Sequence, residues 1–132
     1  MAKKKPNLLE RALAGNVKAM YTLGQKIYDE CNSTWHQPDE VFLEAFKWLQ
    51  KAADGGEMRA YTTLGYMYAS GKGVESNPMK ALNCFKKAAD AGDDNAAFMV
   101  GFMKKQMKWK IFSATFARLN IIGAMTKGGM IF

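Results

Sequence analysis

The sequence is poor in the side chains that build most catalytic and metal sites. It has one histidine, His36, and two cysteines, Cys31 and Cys84, among 132 residues. A structural zinc site needs four ligands and a disulfide framework needs more cysteines, so both are disfavoured. Two scattered cysteines are typical of a reducing compartment, and we therefore predict a cytoplasmic protein.

An enzyme is also disfavoured by what is missing. No serine or cysteine stands in a local motif with a histidine and an acid, and no glycine-rich phosphate loop follows a strand. Gly71-Lys72-Gly73 resembles such a loop only superficially, because a repeat pattern described below accounts for both glycines. We predict a non-catalytic protein that holds no cofactor and no metal.

Long apolar runs and a uniform charge are absent as well. No window approaches the roughly 20 apolar residues of a spanning helix, and no apolar run of the signal-peptide type follows the basic start. The formal net charge is +7, but residues 15–95 carry nine basic and eleven acidic side chains, whereas residues 96–132 carry six basic and no acidic ones. This distribution is only weakly typical of nucleic-acid binding, so we expect neither a nucleic acid nor a membrane as the main partner.

The chain does contain an internal repeat. An alanine followed four residues later by an aliphatic–glycine pair begins at Ala19, Ala60 and Ala96. The tract Lys-Ala-Ala-Asp occurs at 51–54 and again at 87–90. The second and third copies of the first landmark lie 36 residues apart, as do the two copies of the tract. Chance rarely keeps two landmarks in one register, so the period indicates repeated structural units.

The repeat predicts an all-α fold in which helix–turn–helix units stack on one another. In the best copy, residues 60–92, Gly71 ends a first helix, and Asn77 with Pro78 begins a second. The expected organisation is a single repeat domain: basic tail 1–6, N-terminal cap helix 7–14 with Asn7 as its cap, repeat one 15–56, repeat two 57–92, and a degenerate third repeat with a C-terminal cap at 93–132.

Each repeat is expected to hold a first helix, helix A, and a second, helix B. The spacing predicts helices A at 16–30, 57–70 and 93–107, and helices B at 38–55, 78–91 and 109–122, the last of them degenerate. Pro38 is expected in the first turn of its helix. Residues 126–132 are expected to be irregular.

Residues 60–92 follow the pattern A-x-x-x-L-G-x-x-Y-x-x-G-x-G-V-x-x-N-x-x-K-A-x-x-x-F-x-K-A-A-x-x-G. This resembles the Sel1-like repeat family, a relative of the tetratricopeptide repeats. Residues 15–56 match at both ends, and residues 93–103 match only the helix A signature. The resemblance implies an αα-superhelix (solenoid) of about two and a half repeats with terminal capping helices. It also implies a concave, protein-binding surface lined mainly by helices A.

The main candidate site is the side of helix A that faces away from the packed side. Offsets of +2 and +6 from the first alanine of each repeat point there. Stacked repeats would align these positions into a ladder that suits recognition of a peptide or helix. The alternative is that some of them pack under the C-terminal segment. The predicted contacts are Tyr21, Gln25, Thr62, Tyr66, Phe98 and Phe102.

The loop at 31–37 is a second candidate. It lacks the family's Gly-x-Gly-Val turn, and repeat one is five residues longer than its neighbour. Trp35 and His36 are therefore candidate contacts for a partner. The alternative is a decorated loop without a binding role, because loops tolerate insertions.

The basic, aromatic segment after Gly101 has three interpretations. Its apolar side could cap the open end of the repeat stack, which any finite solenoid requires. It could instead lie on an anionic membrane or on RNA. It could also mediate self-association, since it is unusually apolar for a terminal cap. The first interpretation is favoured.

We therefore predict a non-catalytic module that binds a partner protein or peptide through the concave helix A surface. Two roles fit this prediction: an adaptor or regulator, and an immunity protein that neutralises a cognate secreted toxin. The family resemblance allows both, because bacterial members include regulators, host-interaction factors and proteins paired with secreted toxins. Binding of nucleic acid or of a membrane surface through the basic C-terminal segment is the alternative from a different class.

Overall fold

A computed structural model describes residues 4–34 and 38–127, with side chains described as far as residue 115. These residues form helices and no strand, which confirms the predicted all-α repeat fold. No helix in this part of the chain combines the length and the apolar content that crossing a lipid bilayer requires. The helices, in chain order, are α1 Leu8–Leu13, α2 Val17–Ser33, α3 Asp39–Asp54, α4 Arg59–Ser70, α5 Pro78–Asp90 and α6 Asp94–Lys127.

Asparagine side chains begin three of the helices. Asn7 accepts a hydrogen bond from the N–H of Glu10 at 2.8 Å, and the Glu10 carboxylate accepts one from the N–H of Asn7 at 3.0 Å. Asn16 and Asn77 each accept a bond from the N–H three residues later. Pro78 follows Asn77 in the first turn of α5, where a missing N–H costs nothing. The predicted caps at Asn7 and Asn77 are thus confirmed.

Pro38 lies just before its predicted place in the first turn. It is the N-cap of α3, with an extended ψ of 147°, and its carbonyl accepts a hydrogen bond from the N–H of Val41 at 3.1 Å. Proline lacks a backbone donor but keeps its acceptor, so it can close the first turn from outside the helix.

Helices A and B approach each other closely at a glycine in each repeat. A Cβ atom on Gly24 would lie 2.8 Å from Cγ of Leu49, and one on Gly65 would lie 2.8 Å from Cε1 of Phe85. Any side chain at these positions would therefore push the helices apart. Because the glycines permit the contact, Leu49 and Phe85 are fully buried. The glycine of the aliphatic–glycine landmark is thus a point of close approach between the two helices of each complete repeat.

The core continues from one repeat into the next. Leu64 and Met67 of α4 are fully buried in the same cluster as Leu49 of α3. The ring of Tyr68 meets the ring of Phe46 edge-on, with centroids 5.5 Å apart. Burying each large apolar side chain contributes about 1.5–3 kcal/mol. Neither repeat could bury these groups alone, so stacking is a condition of stability.

Two hydrogen bonds add a polar connection between successive elements. Thr63 Oγ1 donates to Oε1 of Gln25 at 2.6 Å and joins α4 to α2. Thr62 Oγ1 donates to Oδ2 of Asp93 at 2.5 Å and joins α4 to the turn before α6. These bonds link residues far apart in the chain, so they fix the register between helices.

The predicted break in the third repeat is wrong. α6 runs from Asp94 to Lys127 as one helix, where the sequence predicted a helix A at 93–107 and a helix B at 109–122. The physical reason is local composition, because no glycine or proline occurs between residues 102 and 122 to end the helix. The two complete repeats have such residues between their helices.

The irregular end predicted for 126–132 is corrected in part. Residues 126 and 127 belong to α6. Residues 128–132 lie outside the part of the chain that the structure describes.

The chain divides into two units, Met1–Met99 and Val100–Phe132. The first holds the two repeats and the start of α6, and the second, as far as it is described, is the rest of α6. Gly101 repeats the landmark of Gly24 and Gly65, but a Cβ atom on it would meet nothing within 4 Å. The described residues thus hold no helix B at this glycine. The domain limits given above stay a prediction.

Replacing Gly65 with alanine should destabilise the protein by about 1–3 kcal/mol, because the added methyl group collides with Phe85. Gly101→Ala is the matched control at the equivalent landmark position. It meets open space and should be neutral or stabilising by up to about 1 kcal/mol, since alanine is the better helix former. Urea unfolding measures both changes. Equal effects of the two substitutions would contradict the close approach.

Replacing Thr62 with valine should make stability less dependent on acid pH. The hydrogen bond from Thr62 is the main reason why the pKa of the Asp93 carboxyl is lowered, and the N–H of Ala96 is the second. A lowered pKa in the folded state gives stability that is present above the unfolded-state pKa and is lost as pH falls through the folded-state value. We expect the variant to be about 1–2 kcal/mol less stable at pH 7, with a difference that shrinks below about pH 4.

Thr22→Val is the matched control for this measurement. Its hydroxyl donates only to the carbonyl of Lys18 within the same helix, at 2.8 Å. Unfolding at a series of pH values should show a pH-independent effect for this variant. A pH-independent effect for Thr62→Val as well would argue against the bond to Asp93.

Candidate functional site

Five of the six predicted contacts lie in the first unit. Tyr21 and Gln25 are on α2, Thr62 and Tyr66 are on α4, and Phe98 is near the start of α6. We call these five positions the helix A surface. The sixth predicted contact, at position 102, is exposed and belongs to the second unit. Its membership in the same ladder stays a prediction.

Tyr21 is held beneath a guanidinium group. The Arg59 side chain lies 4.5 Å from the centre of the Tyr21 ring. Nε and Nη2 of Arg59 donate to the two carboxylate oxygens of Glu57 at 2.8 and 3.0 Å. Burial raises the pKa of the Tyr21 hydroxyl, and the charge of Arg59 offsets part of this rise. The hydroxyl is therefore neutral at pH 7, and the half-buried ring has a fixed position.

Glu57 and Arg59 form the one ion pair in the described part of the chain. The hydrogen bonds from Arg59 are the main cause of the lowered pKa of the Glu57 carboxyl. The same contact raises the pKa of Arg59. Because two parallel bonds orient the guanidinium plane, the pair also sets the orientation of the group above Tyr21.

Gln25 uses both ends of its amide, one in a bond to α4 and the other in a bond within α2. Its Oε1 accepts the bond from Thr63, and its Nε2 donates to Oδ1 of Asp29 at 2.9 Å. The amide is thus largely satisfied within the chain, and its role on this surface is to hold neighbours in place. Beside it lies a depression of 420 Å³, lined by Tyr21, Thr22, Gln25, Lys26, Asp29 and Glu30.

Thr62 and Tyr66 are also engaged within the chain. Thr62 donates to Asp93, whose second carboxylate oxygen accepts the N–H of Ala96 at 3.1 Å. The Tyr66 ring meets the buried Phe85 ring edge-on at 5.1 Å, yet its outer side reaches solvent. Next to these residues the turns that follow the two helices B enclose a cleft of 470 Å³, lined by Gly56, Glu57, Met58, Arg59, Ala88, Ala91, Gly92 and Asp93.

Phe98 is the most exposed member of the surface, with 72% of its area accessible. Tyr21, Gln25 and Thr62 thus each contact a different neighbouring residue of the chain, and Phe98 is largely exposed. The partner-binding role of all six predicted positions stays a prediction.

The second candidate, the loop at 31–37, is described only in part. Trp35 and His36 lie outside the described residues. Cys31 begins the predicted loop but lies in the last turn of α2, where it is buried. Burial raises the pKa of its thiol, and burial also raises the pKa of the Cys84 thiol. Across residues 4–34 and 38–127, no three His, Cys, Asp or Glu side chains are grouped closely enough to hold a metal ion.

Glu57, Arg59 and Asp93 are not among the contacts predicted from the sequence. A signal for two of them exists three residues before each landmark alanine, where the repeats carry Asn16, Glu57 and Asp93. All three have a side-chain oxygen that accepts a hydrogen bond from a backbone N–H at the start of helix A. No comparable sequence signal indicates that Arg59 lies over the ring of Tyr21, because the two residues are on different helices, α4 and α2.

The two depressions have an acidic character. Carboxylates outnumber cations around them, so the surface can accept hydrogen bonds and positive charge from a partner. Both are open and shallow, with aromatic or aliphatic side chains between the charged groups, as at surfaces that meet other proteins. The charged residues are the acids Asp29, Glu30, Glu57 and Asp93 and the bases Lys26 and Arg59.

A model of the Sel1 repeat matches residues 17–57 and 59–93, together more than half of the chain. A stretch of 53 residues is 43% identical to the chitin synthase regulator SKT5 of Saccharomyces cerevisiae, and it covers 40% of this chain but 8% of that protein. The crystal structure of a Sel1 repeat protein from Oxalobacter formigenes has a TM-score of 0.56 and 35% identity, covering 71% of this chain and 67% of that one. The chain therefore belongs to the Sel1 repeat family, whose members are generally non-catalytic modules that bind other proteins.

Proposed function

We propose that this chain is an adaptor or regulator that binds a peptide or helix of a partner protein on the helix A surface. The observation that carries the proposal is the way Tyr21 is presented. Its half-buried ring packs with one side against the core and lies beneath Arg59 at the edge of an open depression. A preorganised aromatic side chain loses little conformational entropy on binding and is a favoured anchor at protein interfaces.

The charges suggest the chemistry of the partner segment. Asp29 and Glu30 are exposed at one end of the depression, and Tyr21 and Thr22 lie at the other. A lysine or arginine of the partner would meet the two carboxylates while an apolar neighbour contacts the tyrosine ring. Such complementarity favours association rate and register more than affinity. We therefore expect a segment with alternating basic and apolar groups.

Two biological roles would use this surface in the same way. One is regulation of an assembly or enzyme, and the other is occlusion of a toxin by an immunity protein. The similarity of a 53-residue stretch to a chitin synthase regulator supports the first role. Co-expression with a toxin encoded beside this chain separates them, because equal killing with and without this protein would exclude immunity to that toxin.

Filling the depression should abolish capture of the partner without loss of stability. Thr22→Trp places a large ring at an exposed position of the depression. Lys47→Trp is the matched control, because Lys47 is exposed on α3, a helix B. We expect affinity purification with the wild type and Lys47→Trp to capture the same protein, and Thr22→Trp to lose it by at least about tenfold, which corresponds to removal of one anchor.

Asp29→Lys supplies a second, electrostatic test of the same surface. It should slow association of the captured partner. The association rate, measured by biolayer interferometry, should also fall less steeply as salt is raised, because an attractive charge has been removed. Thermal unfolding of each variant shows whether the fold is retained. Undiminished capture by both Thr22→Trp and Asp29→Lys, with intact folding, would exclude the helix A surface as the binding site.

A further inference from the structure

The described part of α6 in the second unit has a row of exposed aromatic side chains. Phe102, Trp109 and Phe112 are 47%, 66% and 59% exposed, whereas Met103 on another side of the helix is buried. At 100° per residue the three rings fall within an arc of about 80°, and the row is about 15 Å long. We call Phe102, Trp109 and Phe112 the α6 stripe.

The rings of the stripe form a connected apolar surface with lysines beside it. Trp109 and Phe112 have centroids 5.8 Å apart and planes tilted by 30°. A depression of 410 Å³ lies between Phe102 and Trp109, and its other lining residues are Lys105, Gln106 and Lys110. The rings and these two lysines therefore lie on the same side of α6.

The charged side chains of α6 between residues 102 and 115 are all lysines. Lys104, Lys105, Lys108 and Lys110 are exposed, and the sequence contains no acidic residue from 95 to 132. An occupant of this surface must therefore bring negative charge as well as an apolar region. This requirement distinguishes the stripe from the helix A surface, where carboxylates outnumber cations.

Three possible occupants differ in how well they meet this requirement. A second copy packed along the stripe would bring lysines against lysines, which is unfavourable. A helix of another protein could use the rings as anchors, but it would need acidic side chains placed to match the four exposed lysines around them. Single-stranded RNA would pair its phosphates with the lysines and stack bases on aromatic rings, but Trp109 and Phe112 already lie against each other, with centroids 5.8 Å apart, and leave no gap for a base between them.

An anionic membrane surface meets both conditions. Phenylalanine and tryptophan rings enter the boundary between headgroups and acyl chains, and lysines beside them contact anionic headgroups. Lys105, within the line of the stripe, can lay its methylene groups along the rings and keep its ammonium group at the headgroups. We propose that residues 102–112 of α6 are a docking site for an anionic lipid surface.

The test is flotation of the full chain with vesicles. One set is phosphatidylcholine alone and the other contains roughly 30% phosphatidylserine, which supplies an anionic surface. The protein should float with the second set at least about tenfold more than with the first, and this difference should fall when the salt is raised to about 0.5 M. Equal flotation with both sets, or none with either, would overturn the proposal.

Two pairs of variants assign the binding to the stripe. Trp109→Ser with Phe112→Ser should lower the partition coefficient by at least about tenfold, because apolar burial at the interface is lost. The matched control is Leu13→Ser with Met79→Ser, which removes side chains of similar exposure, 68% and 59%, from α1 and α5. An equal loss in the control pair would overturn the assignment.

The charge contribution has its own control. Lys108→Glu with Lys110→Glu should weaken binding by roughly fivefold or more per lysine. Lys47→Glu with Lys86→Glu changes the net charge equally at exposed positions of α3 and α5. If the control pair weakens binding as much, net charge rather than the stripe is responsible. Circular dichroism of all variants confirms the helical fold.

Light scattering and an RNA-binding assay exclude the other occupants. A dimer that dissociates in Trp109→Ser with Phe112→Ser, in a protein that does not float, would assign the stripe to a second copy. Salt-dependent binding of single-stranded RNA without flotation would assign it to nucleic acid. Either result overturns the membrane proposal.

Discussion

The close contact between helix A and helix B is the constraint on which the rest of the repeat structure depends. Gly24 and Gly65 let Leu49 and Phe85 lie against the helix backbone, where a single methyl group would not fit. The distance between the helices then determines which side chains face the core and which remain on the open side. Tightly packed interiors transmit such a constraint, because a shift of one helix moves everything packed against it.

The open side is organised by polar contacts rather than by packing. Gln25, Thr63, Thr62 and Asp93 join successive helices through short hydrogen bonds. Arg59 contacts the ring of Tyr21 while it is paired with Glu57. Two of the predicted partner contacts, Gln25 and Thr62, therefore also help the repeats keep their register. What they leave accessible is a smaller surface, which consists of the Tyr21 depression, the outer side of Tyr66 and the exposed ring of Phe98.

The third copy of the landmark shows what happens without the partner helix. Gly101 has the same sequence context as Gly24 and Gly65, yet a Cβ atom on it would meet no described residue beyond its own stretch of helix within 4 Å. The helix continues, and the aromatic and basic side chains between residues 102 and 112 are exposed. The chain thereby has two surfaces of opposite charge, an acidic one on the repeats and a basic, aromatic one on α6.

The sequence by itself determined the helical class, the repeat period and the caps at Asn7 and Asn77. These features depend on turn chemistry and on the spacing of small and apolar residues, which act over a few residues. Only the tertiary structure decided the contacts between residues far apart in the chain. Thr62 and Asp93 are 31 positions apart, and Thr63 and Gln25 are 38 positions apart. Such contacts follow from how whole helices lie against each other. The continuous α6 belongs to both categories. The absence of glycine and proline between residues 102 and 122 was visible in the sequence, but the family pattern suggested a turn there.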